Sequence, residues 1–92
     1  MKYRISFGSK FKRDFKTIQK RGYPINQIIV VFEMLENTGN LSERYTPHKL
    51  SGNYVNCWEC HLRQDWLLIW ECNEDQKEIR MIRTGTHSDL FK

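Results

Sequence analysis

Trp66-Leu67-Leu68-Ile69-Trp70-Glu71 is the stretch from which the fold of this chain can be predicted. Its first five residues are apolar without interruption, so neither face of the segment is suited to contact with water. This pattern is typical of a strand that lies in the middle of a sheet and is covered on both faces. We therefore predict a central strand over residues 66–71, with a neighbouring strand on either side of it.

The segments that flank this stretch also have strand patterns. Residues 53–62 alternate and are rich in aromatic side chains, and residues 78–84 alternate until Gly85 breaks the pattern. The connections between the three segments are short, at residues 62–64 and near residues 73–76. Because consecutive strands joined by short links pair with each other, we predict an antiparallel meander.

This meander places chemically active side chains at one end of the sheet. A hairpin loop at residues 62–64 sets His61 opposite Asp65 in the predicted register. The second hairpin brings Arg83 to the same end, and the tail that begins there carries His87. We expect these four side chains to converge.

The amino-terminal half predicts a strand followed by two helices. Residues 1–6 alternate, with Tyr3 and Ile5 on one side, and Ser9 is placed to cap the helix that follows. The apolar stripe of the first helix is Phe11, Phe15 and Ile18, and that of the second is Ile25, Ile28, Ile29, Phe32 and Leu35. The second helix starts with Pro24 in its first turn and ends at residues 37–39. Its apolar surface is broad enough to be covered on more than one side, by the sheet and by the first helix or a partner.

The predicted class is therefore α+β in a single domain over residues 1–92. Its order is a first strand, a two-helix hairpin, an antiparallel β-meander and a short carboxy-terminal tail. Residues 40–53 form a long connection without periodicity, and loops of this length in small domains are usually functional or disordered. The connection contains His48, which taken alone is best interpreted as a solvent-exposed histidine.

Charge is distributed unevenly along the chain, whose net charge is +4. Residues 1–21 contain eight Lys and Arg and a single acidic residue, Asp14, whereas the remainder has a balance of −3. A basic segment of this kind suits nucleic acid, a membrane surface or an acidic protein. A well-solvated helix face explains the charge equally well.

The sequence predicts a cytoplasmic protein without a cofactor. No apolar run approaches the ~20 residues of a membrane span, and no signal peptide is visible, so the three cysteines are expected to be reduced. Residues 57–61 match the C-x-x-C-H pattern of haem attachment, and with Cys72 they supply half of a zinc site. In a strand, however, Cys57 and Cys60 point to opposite faces, so we predict buried apolar cysteines and no metal.

Histidines, a carboxylate and an arginine suit the cleavage of a phosphodiester. One group takes a proton from the attacking hydroxyl and another donates a proton to the leaving oxygen, while Arg83 stabilises charge on the phosphoryl oxygens. If the substrate is RNA, its own 2′-hydroxyl attacks and no metal is needed. We interpret the constellation of His48, His61, Asp65 and His87 with Arg83 as a site.

Four motifs at matching spacings resemble the YafQ-type toxins of the RelE/ParE superfamily. They are Arg83-Thr84-Gly85-Thr86-His87-Ser88-Asp89-Leu90-Phe91, His48-Lys49-Leu50-Ser51-Gly52, Glu59-Cys60-His61 and Asp65-Trp66. The resemblance covers nearly the whole chain and implies the RelE/ParE-like, microbial ribonuclease-like fold. It also implies a ribosome-dependent endoribonuclease that cuts mRNA in the decoding site. The family's catalytic positions fall on His48, His61, Asp65, Arg83, His87 and Phe91.

The resemblance further implies the partners of the chain. They are a cognate antitoxin that holds the toxin inactive, the ribosome with its RNA and the mRNA, and operator DNA only through the antitoxin complex; no membrane is implied. Ribosomal RNA gives the basic segment a polyanionic partner, and Phe91 offers a ring on which a base can stack. The residues expected to contact this RNA are Lys10, Lys12, Arg13, Lys16, Lys20 and Arg21.

An alternative function is a non-catalytic binding module, because the superfamily also includes proteins that poison DNA gyrase. The three histidines favour the nuclease. The chain departs from the family pattern at Pro47, where an acidic residue often precedes the first histidine, and at Trp58, where a basic residue is common. Both departures bear on codon preference and ribosome contacts rather than on the catalytic groups.

Overall fold

The computed structural model describes residues 2–91. Its elements in chain order are β1 (Arg4–Phe7), α1 (Ser9–Lys20), α2 (Ile25–Thr38), β2 (His48–Lys49), β3 (Cys57–Arg63), β4 (Trp66–Asn73), β5 (Glu78–Gly85) and α3 (His87–Leu90). The predicted α+β class and element order are confirmed. The first predicted strand, residues 1–6, begins at Arg4 instead, and Met1 lies outside the described residues. No helix in the described part of the chain combines the length and apolar character needed to cross a membrane.

The sheet has the strand order β1-β5-β4-β3-β2. Strands β3, β4 and β5 form the predicted antiparallel meander, and β1, which precedes the two helices, pairs in parallel with β5. As a result β4 is the central strand, and residues 66–70 are buried on both faces. Each large apolar side chain buried in this way contributes about 1.5–3 kcal/mol to stability.

The two faces of the sheet carry different clusters. The larger cluster lies under α1 and α2 and includes Phe11, Ile18, Ile28, Val31, Leu35, Cys60, Trp66, Leu68, Trp70, Ile79 and Met81. The smaller cluster, on the opposite face, contains Cys57, Leu67, Ile69 and Leu90. Because Cys57 and Cys60 belong to different clusters, the prediction that they point to opposite faces is confirmed, and burial raises the pKa of both thiols.

The helix boundaries correct two predictions. Gly8 is the N-cap of α1 and its carbonyl accepts from Lys12, so Ser9 is the first helical residue and does not cap. Pro24 is likewise the N-cap of α2 rather than part of its first turn. Gly39 ends α2 with φ 76°, as predicted.

The face of α2 that points away from the sheet is not covered by other parts of residues 2–91. Ile29 and Val30 are 43% and 42% exposed, whereas Ile28 and Val31 are fully buried. On another side α2 contacts α1, because the ring of Phe32 lies 6.1 Å from that of Phe11. The expectation that α2 is covered on more than one side is therefore met by the sheet and α1, and its third, outward side stays exposed.

Strand register differs from the prediction at both hairpins. The first hairpin turns at Gln64 and Asp65, and a register shift between His61 and Arg63 places His61 opposite Leu67 rather than Asp65. In the second hairpin Arg83 lies opposite Ile69, two positions further along β4 than predicted. Irregularities of this kind insert or skip one residue in a ladder, and the alternation of apolar residues does not reveal them.

The long connection is more ordered than its lack of periodicity predicted. It contains two short 3₁₀ turns, Glu43–Tyr45 and Gly52–Tyr54, and the two-residue strand β2. Strand β3 starts at residue 57 instead of residue 53 because the second turn and Asn56, whose φ is 71°, precede it. His48 consequently belongs to the sheet and not to a free loop.

Candidate active site

One row of residues crosses four strands and defines the face of the site. His48 on β2 lies opposite Glu59 on β3, Glu59 lies opposite Ile69 on β4, and Ile69 lies opposite Arg83 on β5. Residues directly opposite each other in a ladder point to the same face, so His48, Glu59 and Arg83 share the face of the smaller cluster. His61, two residues after Glu59, points the same way.

Glu59 joins two histidines. Its Oε1 lies 3.1 Å from His48 Nε2 and 3.8 Å from His61 Nε2, and its side chain is only 6% exposed. Its other oxygen, Oε2, is buried without a hydrogen-bond partner among residues 2–91. Sequence reasoning missed this residue, although it stands inside the motif Glu59-Cys60-His61.

The contacts of His48 fix the position of a proton. Its Nδ1 lies 2.9 Å from the carbonyl oxygen of Thr46, which only accepts, so Nδ1 carries a hydrogen. Nε2 then faces the carboxyl of Glu59 at hydrogen-bond distance. His48 and Glu59 therefore form a close pair, in which Nε2 of His48 faces a buried carboxyl group.

Asp65 fixes the third histidine. Its Oδ1 accepts from the backbone N–H of His87 at 3.0 Å and lies 2.7 Å from His87 Nδ1. The backbone and ring hydrogen bonds from His87 lower the pKa of Asp65, so this carboxyl is ionised near neutral pH. The ring consequently donates from Nδ1 and leaves Nε2 toward solvent. The prediction that Asp65 lies opposite His61 is wrong: the register shift places Leu67 opposite His61, and Asp65 contacts His87 instead.

The rings form a continuous line along the surface. Successive centroids are 6.2 Å apart from His48 to His61, 6.0 Å from His61 to His87, and 6.4 Å from His87 to Phe91. Tyr54 continues the line with an edge-to-face contact to Phe91 at 5.6 Å. The structure thus brings the three predicted histidines and Phe91 together, and it adds Tyr54. The only sequence signal for Tyr54 is its place in an aromatic-rich segment.

The guanidinium of Arg83 is held by the carboxylate of Asp14. Its Nε and Nη2 donate to Asp14 at 2.6 and 3.2 Å, and its Nη1 lies 3.3 Å from the Tyr54 hydroxyl. Strand β1 pairs only with the first half of β5, and α1 lies along the second half of that strand's edge. There Asp14 also accepts from the backbone N–H of Thr84 at 3.1 Å. The bond to Asp14 raises the pKa of Arg83, whose side chain is 19% exposed. Arg83 therefore borders the line of rings through Tyr54.

The predicted RNA-binding residues divide into two groups. Exposed side chains on or near α1 are those of Lys10, Lys12, Arg13, Lys16 and Lys20. Arg21, in contrast, forms a bidentate pair with Asp89 in the tail, at 2.7 and 3.1 Å. The guanidinium of Arg21 is therefore bound to another part of the fold.

No metal centre is evident from the side chains of residues 2–91. Among them no group of three or more His, Cys, Asp or Glu is arranged to hold an ion. Burial is the main cause that raises the pKa of Cys72 to about 11, so this thiol is protonated near neutral pH and a weak ligand. The absence of a cofactor stays a prediction.

The family model described as bacterial toxin of type II toxin-antitoxin system, YafQ, matches residues 3–92. The chain belongs to the YafQ toxin family. This membership confirms the family predicted from the sequence motifs, and it gives the line of histidines and Phe91 a functional context.

Relatives with names and structures support the same assignment. The chain is 33% identical over 88 residues to the mRNA interferase toxin YafQ of Escherichia coli K12, covering 95% of this chain and 94% of that protein. It superposes on YafQ in the Escherichia coli DinJ-YafQ toxin-antitoxin complex with a TM-score of 0.89 and 30% identity, over the full length of both chains. A metal-bound toxin from Helicobacter pylori gives a TM-score of 0.87 at 31% identity, over 99% of this chain and 100% of that one.

Proposed function

We propose that this YafQ-family toxin is a ribosome-dependent endoribonuclease that cleaves mRNA in the cytoplasm. The chemistry is metal-independent acid–base catalysis with the 2′-hydroxyl of the RNA as nucleophile. One observation carries the proposal: His48, His61 and His87 lie in line on one exposed face and continue into Phe91. The name of the Escherichia coli relative, mRNA interferase toxin, supports the same activity.

In this proposal the two proton transfers are made at opposite ends of the histidine line. His87, held through Nδ1 by Asp65, presents Nε2 at one end, and His48, which lies beside Glu59, is at the other end. One end takes the proton of the 2′-hydroxyl as the new O–P bond forms. The other donates a proton to the 5′-oxygen as the old P–O bond breaks. The product is a 2′,3′-cyclic phosphate and a free 5′-hydroxyl.

Arg83 supplies positive charge to the phosphoryl group in this scheme. A guanidinium has five N–H donors, and the contacts with Asp14 and Tyr54 use three of them. One donor therefore remains on each terminal nitrogen for the phosphoryl oxygens. Asp14 fixes the direction in which these donors point, so that they stabilise the charge that develops in the transition state.

Phe91 is the proposed base-stacking residue. Its side chain is 45% exposed, and Tyr54 supports it from the side by an edge-to-face contact. A base stacked on an aromatic ring is stabilised by about 1–3 kcal/mol. Stacking at Phe91 holds one nucleotide of the message beside the line of histidines.

The helical face of the molecule provides the proposed partner surfaces. The exposed basic side chains of α1 suit the phosphates of ribosomal RNA. A groove of about 470 Å³ between α1 and α2 suits the apolar face of an antitoxin helix; it is lined by Phe7, Phe11, Lys12, Phe15, Lys16, Gln19, Ile29 and Phe32. Lysines at its rim favour an acidic partner. The DinJ-YafQ complex of the relative supports an antitoxin partner, and operator DNA is reached only through such a complex.

Two other mechanisms make different predictions. A non-catalytic binding module does not need convergent histidines and gives no cut sites. A metal-assisted nuclease is a second alternative, because the Helicobacter pylori relative is metal-bound. Such an enzyme is slowed by a chelator at levels that spare the ribosome. The proposed mechanism gives cut sites and is insensitive to the chelator.

The test is to map cleavage of a reporter message in a translating extract, with the unaltered protein and with His87→Ala. We expect cuts that require ribosomes, and a loss of cleavage of ~10²–10⁴-fold in the variant, the usual effect of removing an acid–base group. His87 is exposed, so the variant should keep the fold and bind antitoxin as before. Full activity of His87→Ala, or cutting of free message without ribosomes, would contradict the proposal.

A further inference from the structure

The carboxy-terminal tail is tied to the end of α1 by a pair of charges. Arg21 Nη1 donates to Asp89 Oδ2 at 2.7 Å, and Arg21 Nη2 donates to Asp89 Oδ1 at 3.1 Å. This planar, two-bond geometry fixes direction as well as distance. It joins the end of the first helix to the turn that carries His87.

The same carboxylate organises the turn itself. Asp89 Oδ2 accepts from Thr86 N–H at 2.9 Å, and Thr86 Oγ1 accepts from Asp89 N–H at 3.1 Å, so the two residues form a reciprocal capping box. Gly85 allows the close approach, since a Cβ there would lie 2.8 Å from Asp89 Oδ2. The hydrogen bond from Arg21 is the main cause that holds the pKa of Asp89 well below its usual range.

A helix of this length depends on its contacts. The four residues of α3 form a single turn, which is too short to be stable alone. Three contacts hold this turn: the burial of Leu90 in the smaller cluster, the bond between Asp65 and His87, and the bond between Arg21 and Asp89. Of these, only Arg21 reaches the turn from the helical layer.

We propose that Arg21 is a positioning residue for catalysis: through Asp89 it fixes the turn that aims His87 at His61 and Phe91 at the substrate base. The activity part of this inference rests on the proposed function. It gives Arg21 a role different from that of the other basic residues of α1, which are free to contact RNA. Misplacement of a catalytic group by about 1 Å can lower turnover by as much as 10²-fold, so the pair matters beyond its small effect on stability.

A double-mutant cycle separates positioning from RNA binding. The variants are Arg21→Gln, Asp89→Asn and both together; Asn keeps the shape of Asp and an oxygen that can accept from Thr86. Each single variant should lower kcat by ~10-fold and leave KM nearly unchanged, and the double variant should be no worse than either single one. Lys20→Gln, which removes a neighbouring charge without touching the tail, should instead raise KM and flatten its salt dependence.

Hydrogen exchange tests the tail without reference to activity. The amides of Leu90 and Phe91 donate to Thr86 O at 3.1 Å and to His87 O at 2.8 Å. Their exchange should become ~10-fold faster in Arg21→Gln and in Asp89→Asn but not in Lys20→Gln. Amides of β4 should exchange as before in all variants, which shows that the fold is intact.

The outcomes are distinct. Unchanged exchange at Leu90 and Phe91, an unchanged kcat despite faster exchange, or additive losses in the double variant would each overturn the positioning role. An effect of Arg21→Gln confined to KM would overturn it as well and identify Arg21 as an RNA contact. A failure of the unaltered protein to cut ribosome-bound message would contradict the proposed function instead, while the exchange result would still decide whether Arg21 orders the tail.

Discussion

At the scale of single residues, Glu59 shows what a site requires beyond its catalytic groups. A carboxylate that is 6% exposed is costly to bury unless it has partners, and here two histidines supply them. The position of Glu59 between His48 and His61 keeps the two rings close to each other. In the sequence Glu59 stands at an ordinary alternating position of a strand. Its role depends on β2, a strand of two residues that has no detectable periodicity.

We expect Glu59→Gln to lower mRNA cleavage by ~10–10²-fold while the fold is retained. The amide has nearly the same shape, but it lacks the negative charge that faces the two histidine rings. Single-turnover cleavage on programmed ribosomes measures the effect, and Glu71→Gln, an exposed position on β4, is the matched control. Equal activity of both variants would show that Glu59 is only a buried structural residue.

Other residues of the site can be predicted only in part. Arg83 and His87 are recognisable because a cation and an imidazole stand four positions apart at a strand end. Their partners in the structure are harder to recognise. Asp65 is predicted at the same end of the sheet, but opposite His61 rather than beside His87, and no sequence pattern links Asp14 to Arg83. Asp14 is 69 positions from Arg83 in the chain, and a contact of that separation depends on how α1 packs against the sheet edge.

At the scale of elements, the apolar pattern predicts the strands and helices well. The main error of the prediction is the register in which β3, β4 and β5 pair. Residues 66–71 specify a central strand because both faces must be buried, and the short links specify the meander. A single-residue irregularity next to His61 moves its partner from Asp65 to Leu67. A bulge changes no residue type and leaves the alternation on either side intact, so no sequence pattern reveals it.

Helix α1 carries the prediction about the ribosome. Replacing Arg13 and Lys20 together by Gln should weaken ribosome binding and reduce the slope of log K against log salt by roughly 1 for each phosphate that is no longer neutralised. Both side chains are exposed and lie outside the apolar groove, so antitoxin binding should persist. Co-sedimentation with ribosomes over a salt series measures the slope.

The control for this experiment removes the same charge elsewhere. Lys2→Gln with Arg4→Gln changes two exposed basic residues at the start of β1. Arg4 lies opposite Glu78, at the end of β5 that is farther from Arg83, so the salt slope should stay as in the unaltered protein. Identical slopes for both double variants would show that the basic face of α1 is merely solvated.

At the scale of the whole molecule, the sheet separates two surfaces. One face carries the histidine line, and the helices on the other side carry an apolar groove with an exposed rim. Ile29, 43% exposed, is one of the side chains of this rim. Exposed apolar surface next to basic residues favours an amphipathic acidic helix as its occupant.

Ile29→Asp should weaken binding of the cognate antitoxin by at least ~10-fold, since a carboxylate enters an apolar contact and opposes an acidic partner. Calorimetric titration with the antitoxin measures the change. Val55→Asp provides the control, because Val55 is 59% exposed but lies outside the groove. Equal affinities for Ile29→Asp and the unaltered toxin would place the antitoxin on another surface.

The chemistry of the cut tests the proposed mechanism most directly. A message with a single 2′-deoxy nucleotide at the mapped cut position keeps its charge and its bases, so it should bind the ribosome–toxin complex normally. Since the proposed nucleophile is missing, it should not be cut there, whereas the all-ribose message should yield a cyclic or 3′-phosphate and a 5′-hydroxyl. Cleavage of the deoxy message, or a 5′-phosphate on the downstream fragment, would show that water is the nucleophile and contradict the roles given to His48, His61 and His87.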